Sequence, residues 1–191
     1  LEIAITVTQS GRANKAWAKE VTSYEGYDAT KPVRLAKYGD NILLANTTKV
    51  YVLDPATGEA VNTIAMPEGV SAHSFVVDDA GNIIIAADAG VGSDLVLYVV
   101  SDITNLEPVE LRTYNTGNYY ATDTGNIRVK GNIKENAVIT ATASAGAGGA
   151  VIFWEVVGGE ISTWYWTSVP YAADLIAYAC AAPVGNSISD G

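Results

Sequence analysis

Apolar positions in this chain fall in short runs separated by polar turns, and one such phrase recurs. Residues 39–45, Gly-Asp-Asn-Ile-Leu-Leu-Ala, return as Ala-Gly-Asn-Ile-Ile-Ile-Ala at 80–86 and, more loosely, as Lys-Glu-Asn-Ala-Val-Ile-Thr at 134–140. Each copy is a polar turn closing on Asn, followed by an apolar run of buried type. A second run rich in β-branched and aromatic residues follows each copy, at 49–53, 95–100 and 151–157. Apolar runs of this length, bounded by Gly, Asp, Asn and Pro, predict strands.

The strands group in fours. The first group reads 32–38, 41–46, 49–53 and 60–65, the second 74–77, 82–87, 94–100 and 109–114, and the third 126–130, 136–142, 150–157 and 160–167. Asp54-Pro55-Ala56-Thr57-Gly58 and Asp78-Asp79-Ala80-Gly81 carry turn chemistry, with Pro presetting φ and Gly free to take positive φ. Gly158-Gly159 reads as a two-residue hairpin. Residues 101–108 read as a longer connection and 143–149 as a flexible loop of Ala, Ser and Gly. At the ends, 2–8 and 15–24 read as two strands and 171–180 as one. Gly185-Asn186-Ser187-Ile188 resembles the opening of a further copy of the phrase. Helix propensity offers an alternative at 13–21, with Asn14 as cap, and at 171–182.

A repeat of roughly 40 to 55 residues built from short strands is the signature of a β-propeller. The expectation is therefore an all-β chain of four-stranded antiparallel blades at about 30–67, 73–115 and 126–168, with partial blades at both ends of one domain, 1–191. Either the termini close a ring between them or the chain is a segment of a larger ring. It starts at Leu1 with no signal peptide, which reads as a processed form, an engineered chain or an excerpt.

Composition removes several functions. Net charge is −10 and the pI about 4.4, with the eleven Lys and Arg residues scattered. No nucleic acid partner is expected without a positive footprint. No run approaches about 18 apolar residues, so no membrane insertion is expected. The single cysteine, Cys180, permits no intrachain disulfide and reads as a small buried hydrophobe.

The segment Val50-Tyr51-Val52-Leu53-Asp54-Pro55-Ala56-Thr57-Gly58-Glu59 resembles a blade of quinoprotein-like bacterial propellers, with Asp, Thr and Gly at the offsets of their outer hairpin. Asn62 stands where the quinoprotein motif carries its docking Trp, and no cofactor is expected. Val129-Lys130-Gly131-Asn132-Ile133, Ala137-Val138-Ile139 and Phe153-Trp154-Glu155-Val156 are similar to blades in secreted propeller-like proteins of Bacteroidetes, mostly of unknown function. The resemblance covers about residues 30–170. It implies a propeller that is extracellular, periplasmic or attached to the cell surface.

No complete catalytic set is present. His73 is the one histidine, in a loop before an inner strand, and no Gly-x-Ser-x-Gly elbow accompanies it. One His and one Cys exclude the usual zinc sites. Asp78, Asp79 and Asn82 offer oxygens for calcium but equally suit a tight turn. Asp88, Asp94, Asp123, Glu155 and Asp174 are carboxylates for glycosidase chemistry, and nothing in the sequence pairs any two. Aromatics are the better lead. Trp164 and Trp166 share one strand face and Tyr165 takes the other, as either packing or an exposed contact surface. In a propeller the loops 66–74, 115–125 and 169–173 gather at one mouth, with 89–93 beside them. That places Tyr119, Tyr120 and Tyr171 as platforms, Asp123 as polar anchor and His73 nearby. The expected function is a non-enzymatic module binding a carbohydrate or a protein. The alternatives are a glycan hydrolase or lyase with channel-facing carboxylates, and a structural repeat that assembles with other chains.

Overall fold

The computed structural model describes residues 2–9, 12–28, 34–46, 48–88, 95–113, 119–120, 127–145, 148–162, 164–169 and 182–187. All its regular elements but one 3-10 turn are strands, joined by antiparallel pairing. The chain divides into two compact units, Leu1–Met66 and Pro67–Gly191.

In the first unit, β1 (Glu2–Gln9) and β2 (Arg12–Glu20) form a hairpin, and a 3-10 turn spans Val21–Ser23. Where helix propensity offered an alternative at 13–21, the chain instead runs as strand to Glu20. A meander follows in chain order: β3 (Arg34–Tyr38), β4 (Asn41–Asn46), β5 (Lys49–Leu53) and β6 (Ala60–Ala65). The middle strands bury both faces, Leu44, Tyr51 and Leu53 on one and Leu43, Val50 and Val52 on the other. Continuous apolar runs, rather than alternating ones, are what such doubly covered strands require.

Residues 17–28 cross the first of these faces. Tyr24 packs with Leu44, Tyr51 and Leu53, and Trp17, Tyr27 and Ile42 pack against them. The Tyr24 hydroxyl donates to Gly58 O at 2.7 Å, Tyr51 to Glu25 O at 2.8 Å, and the Trp17 indole N–H to Pro55 O at 2.7 Å. Burial first, and the Glu59 carboxylate second, raise the Tyr24 pKa above 10.0, which keeps that donor protonated. The Asp54–Gly58 turn forms as its sequence demands: the Gly58 N–H reaches Asp54 O at 2.8 Å, with φ +72 at Gly58. A Cβ on Gly58 would lie 2.6 Å from the Trp17 ring, so glycine serves both the turn and the close approach.

The second unit holds two sheets packed face to face. One is β7 (Ser71–Val77), β8 (Ile83–Asp88), β9 (Leu95–Asp102) and β10 (Asn105–Thr113), paired in chain order. The stretch expected as a connection at 101–108 is mostly strand, turning at Ile103-Thr104. Pro108 is tolerated there because β10 is an edge strand. The other sheet has two long central strands, β13 (Ala137–Ala145) and β14 (Gly148–Val157), and each outer line comes in two pieces. β11 (Tyr119–Tyr120) and β12 (Arg128–Gly131) pair with β13. β15 (Glu160–Ile161) and β16 (Tyr165–Val169) pair with β14. The small residues at 143–149 do not make a long loop: Ala143, Ser144 and Ala145 pair with Ala150, Gly149 and Gly148. Ladder bonds come from the backbone and need no large side chains.

The shared core takes Ile84 and Ala86 from β8, Leu95, Leu97 and Val99 from β9, and alternate residues of β13 and β14, with Trp154 at 0% exposure. At one end of this interface the turn before β8 locks onto the turn before β13. Asp78, itself buried, accepts from Ala80 N (2.9 Å) and Asn82 N (2.8 Å) on Oδ1, and from Asn82 Nδ2 (2.8 Å) and Ile133 N (2.9 Å) on Oδ2. Asp79 Oδ2 takes the Lys130 ammonium at 2.8 Å and Gly131 N at 3.1 Å. Further along, Ile127 N donates to the buried Ser74 Oγ at 3.1 Å. Of the oxygens considered for calcium, both of Asp78 and Oδ2 of Asp79 are thus engaged by N–H donors.

Two measurements check this lock. Asp78→Ala strands four donors and should cost about 3 kcal/mol by urea denaturation. Asp78→Asn should cost nearly as much, because an amide NH₂ then faces Ile133 N–H; an Asn variant as stable as the parent contradicts the geometry. The Lys130 ammonium, then Gly131 N–H, hold Asp79 below its ordinary pKa of 3.8. Its contribution is complete above that value and disappears as pH falls through the lower folded-state pKa. Asp79→Asn should therefore show a shallower loss of stability on acidification below about pH 4, read from thermal melts.

Candidate functional site

Counting the β3–β6 meander as the first main sheet and β7–β10 as the second, the outward face of the third, β11–β16, carries a groove. β13 and β14 alternate, so Ala137, Ile139, Ala141, Ile152, Trp154 and Val156 point to the core and Val138, Thr140, Phe153 and Glu155 to the other side. On that side residues 182–187 lie against the sheet. Val138, Thr140, Phe153, Pro183, Val184 and Ser187 line a groove of about 210 Å³. Ser187 Oγ donates to Glu155 Oε1 at 2.7 Å. A Cβ on Gly131, at φ +101, would collide with Asn136 O and meet Asn186, so this glycine lets both segments close in.

Beside the groove Tyr165 lies on Phe153, ring centroids 5.6 Å apart and planes 16° from parallel, with Tyr165 47% exposed. A register change puts it there. Ile161 opposes Val156, whereas Tyr165 opposes Phe153 and Trp166 opposes Ile152, so one extra residue sits opposite Trp154. Ser162 fixes the break from both sides: its N donates to Glu155 O at 2.8 Å and its Oγ accepts Glu155 N at 3.1 Å.

The residues proposed from sequence are distributed differently. Trp164 is partly buried and packs on the core cluster around Trp154. Trp166 sits in β16 opposite Ile152. Tyr119 and Tyr120 are not in a loop: they form β11, opposite Ala145 and Ser144. His73 is not in a loop before its strand but inside β7, the extra residue between the Ala72–Ala87 and Ser74–Ala86 pairs. The side chains of Tyr119, Tyr120, Trp166 and His73, and residues Asp123 and Tyr171 altogether, lie outside the described set. Tyr119 and Tyr120 thus lie on one outer line of the third sheet and Trp166 on the other, with Trp164 just before β16, while His73 belongs to the second. Of the carboxylates considered, Asp94, Asp123 and Asp174 and the side chain of Asp88 are outside the described residues, and Glu155 is half-buried. Among the described residues, no cluster of three or more His, Cys, Asp or Glu side chains suits a metal. Sequence reasoning missed Phe153 and the segment 182–187. The odd-even alternation through Phe153-Trp154-Glu155 was the available signal for the first.

Trp154 and Tyr165 should separate core from surface. Among the described residues the Trp154 indole N–H has no hydrogen-bond partner, so packing alone holds it. Trp154→Ala should cost about 3–5 kcal/mol, and Tyr165→Ala about 1 kcal/mol or less, both read by denaturant titration.

A comparison with curated proteins finds no match. Residues 21–168, which is 148 of 191, match a family model described as a domain of unknown function, DUF8500. That span opens at the 3-10 turn after the β1–β2 hairpin and closes within β16, taking in the three main sheets. The chain belongs to the DUF8500 family.

Proposed function

We propose that this protein is a non-enzymatic module that binds carbohydrate on the outward face of its third sheet, and that its sheets are laid out as propeller blades. The carrying observation is the exposed Tyr165 ring lying flat on Phe153 next to the 210 Å³ groove. A pyranose presents an apolar C–H face and a rim of hydroxyls. An exposed flat aromatic takes the first. Thr140, Ser187 and the neighbouring Glu155 carboxylate supply donors and acceptors for the second. The groove volume suits one sugar ring better than a long chain, and among the described residues lining it there is no Asp or Glu. A glycosidase would need two carboxylates flanking a bond.

The layout rests on three supports. Four-stranded meanders follow one another in chain order. Their middle strands are buried on both faces. The first strand of the second meander, β7, lies beside β12 through the Ser74–Ile127 bond. Placement outside the cell is part of the same reading and follows from the resemblance to secreted propellers.

A glycan array followed by calorimetry tests the ligand. Binding to at least one glycan is expected, with Tyr165→Ala weakening it tenfold or more, about 1.4 kcal/mol, while the fold melts nearly unchanged. No binding on the array, or equal binding by the variant, ends the carbohydrate reading. Retained affinity for a protein ligand instead would favour the second partner class.

A further inference from the structure

We propose that the free edge of β1 pairs with β1 of a second copy of this chain, making an antiparallel four-stranded sheet ordered β2–β1–β1′–β2′. The inference is independent of the carbohydrate site. Among the described residues β1 and β2 pair only with each other. A two-stranded ribbon is marginal in water, and three or more strands are the usual minimum. The other sheets among the described residues each have four strands or more.

The two edges of the hairpin differ. β2 carries four charged residues, Arg12, Lys15, Lys19 and Glu20. It also carries a bulge: Ile5 opposes Trp17 and Thr6 opposes Lys15, so Ala16 is the extra residue. Charges and bulges are the devices that keep an edge from pairing. β2 is engaged as well, through the Trp17 indole on Pro55 O and a 2.6 Å ion pair between Lys19 and Glu59. β1 has none of these devices. From Ile3 to Gln9 it is uncharged, contains no Pro or Gly, and is mostly β-branched. Such a strand is a template for another.

A second copy fits because β1 is self-complementary. An antiparallel pairing centred on the strand sets Glu2 of each copy near Thr8 or Gln9 of the other, so no like charges meet. The location also suits association of an acidic chain. Residues 1–20 hold three of the eleven basic residues and only two of the twenty-one acidic ones, a net charge of +1, so the acidic excess lies wholly in the rest of the chain. The family match begins at residue 21, immediately after the hairpin. The pairing edge therefore lies outside the span that matches the family model.

The 191-residue chain is tested by size-exclusion chromatography with light scattering at about 100 µM, since dimers respond to concentration. A species of twice 20.0 kDa is expected. Thr6 lies next to the strand centre, so Thr6→Lys in both copies sets two ammonium groups near each other. It should raise the dimer Kd at least about tenfold, as like charges across strands repel, with the circular dichroism unchanged. Thr6→Glu should do the same, and mixing the two variants should restore the dimer. Hydrogen exchange on the unsubstituted chain should show β1 amides gaining protection with concentration. A monomer at this concentration, a dimer indifferent to Thr6→Lys, a mixture that stays monomeric, or β1 exchange independent of concentration overturns the proposal.

Discussion

The buried Asp78 carboxylate sets the geometry on which the second unit depends. Removing a carboxylate from water is costly, and four N–H donors around its two oxygens offset that cost. Three of the donors come from its own turn. The fourth, Ile133 N, belongs to the next sheet. The turn chemistry of one hairpin is thereby made to depend on the position of another, fifty-five residues on. Asp79 adds an exposed, screened contact to Lys130 and Gly131 from the same corner. With that corner fixed, β13 leaves it in one register, β14 follows, and Phe153 and Trp154 fall on opposite faces.

The first meander was legible almost residue by residue. β4, β5 and β6 occupy the spans that the apolar runs and the Asp54–Gly58 turn mark out. There local preference and tertiary demand coincide. Legibility failed where the backbone forms a ladder without help from side chains. Ala143, Ser144 and Gly149 look like linker residues by composition, yet they extend the β13–β14 hairpin. Tyr119 and Tyr120 read as loop residues because their polar neighbours hide a two-residue strand. His73 reads as lying before a strand because an extra residue inside β7 has no local sequence mark.

The candidate site illustrates the same limit. Alternation correctly separates Tyr165 from Trp164, but it does not say which of the two faces is outside. That depends on which residues of β14 lie opposite, and hence on pairing across the sheet. The core takes Trp164 beside Trp154, and the smaller, more polar aromatic is left in water. The segment 182–187 was equally out of reach: its approach to Gly131 and Glu155 is a long-range contact that the likeness of 185–188 to the repeated phrase does not specify.

The single extra residue between Ile161 and Tyr165 decides which aromatic side chains this strand line displays. If the line continued past β14 in the earlier register with all its residues, positions 164 and 166 would oppose Phe153 and Val151 in place of Trp154 and Ile152, and Tyr165 would oppose Ile152. The displayed surface would change from a lone tyrosine to a pair of tryptophans with no change of sequence. Deleting the extra residue, by contrast, would flatten the bulge and leave Tyr165 opposite Phe153. The bulge therefore works as a parity element: whether one residue is paired or bulged out, and not which residues the chain has, sets the face that each later side chain takes.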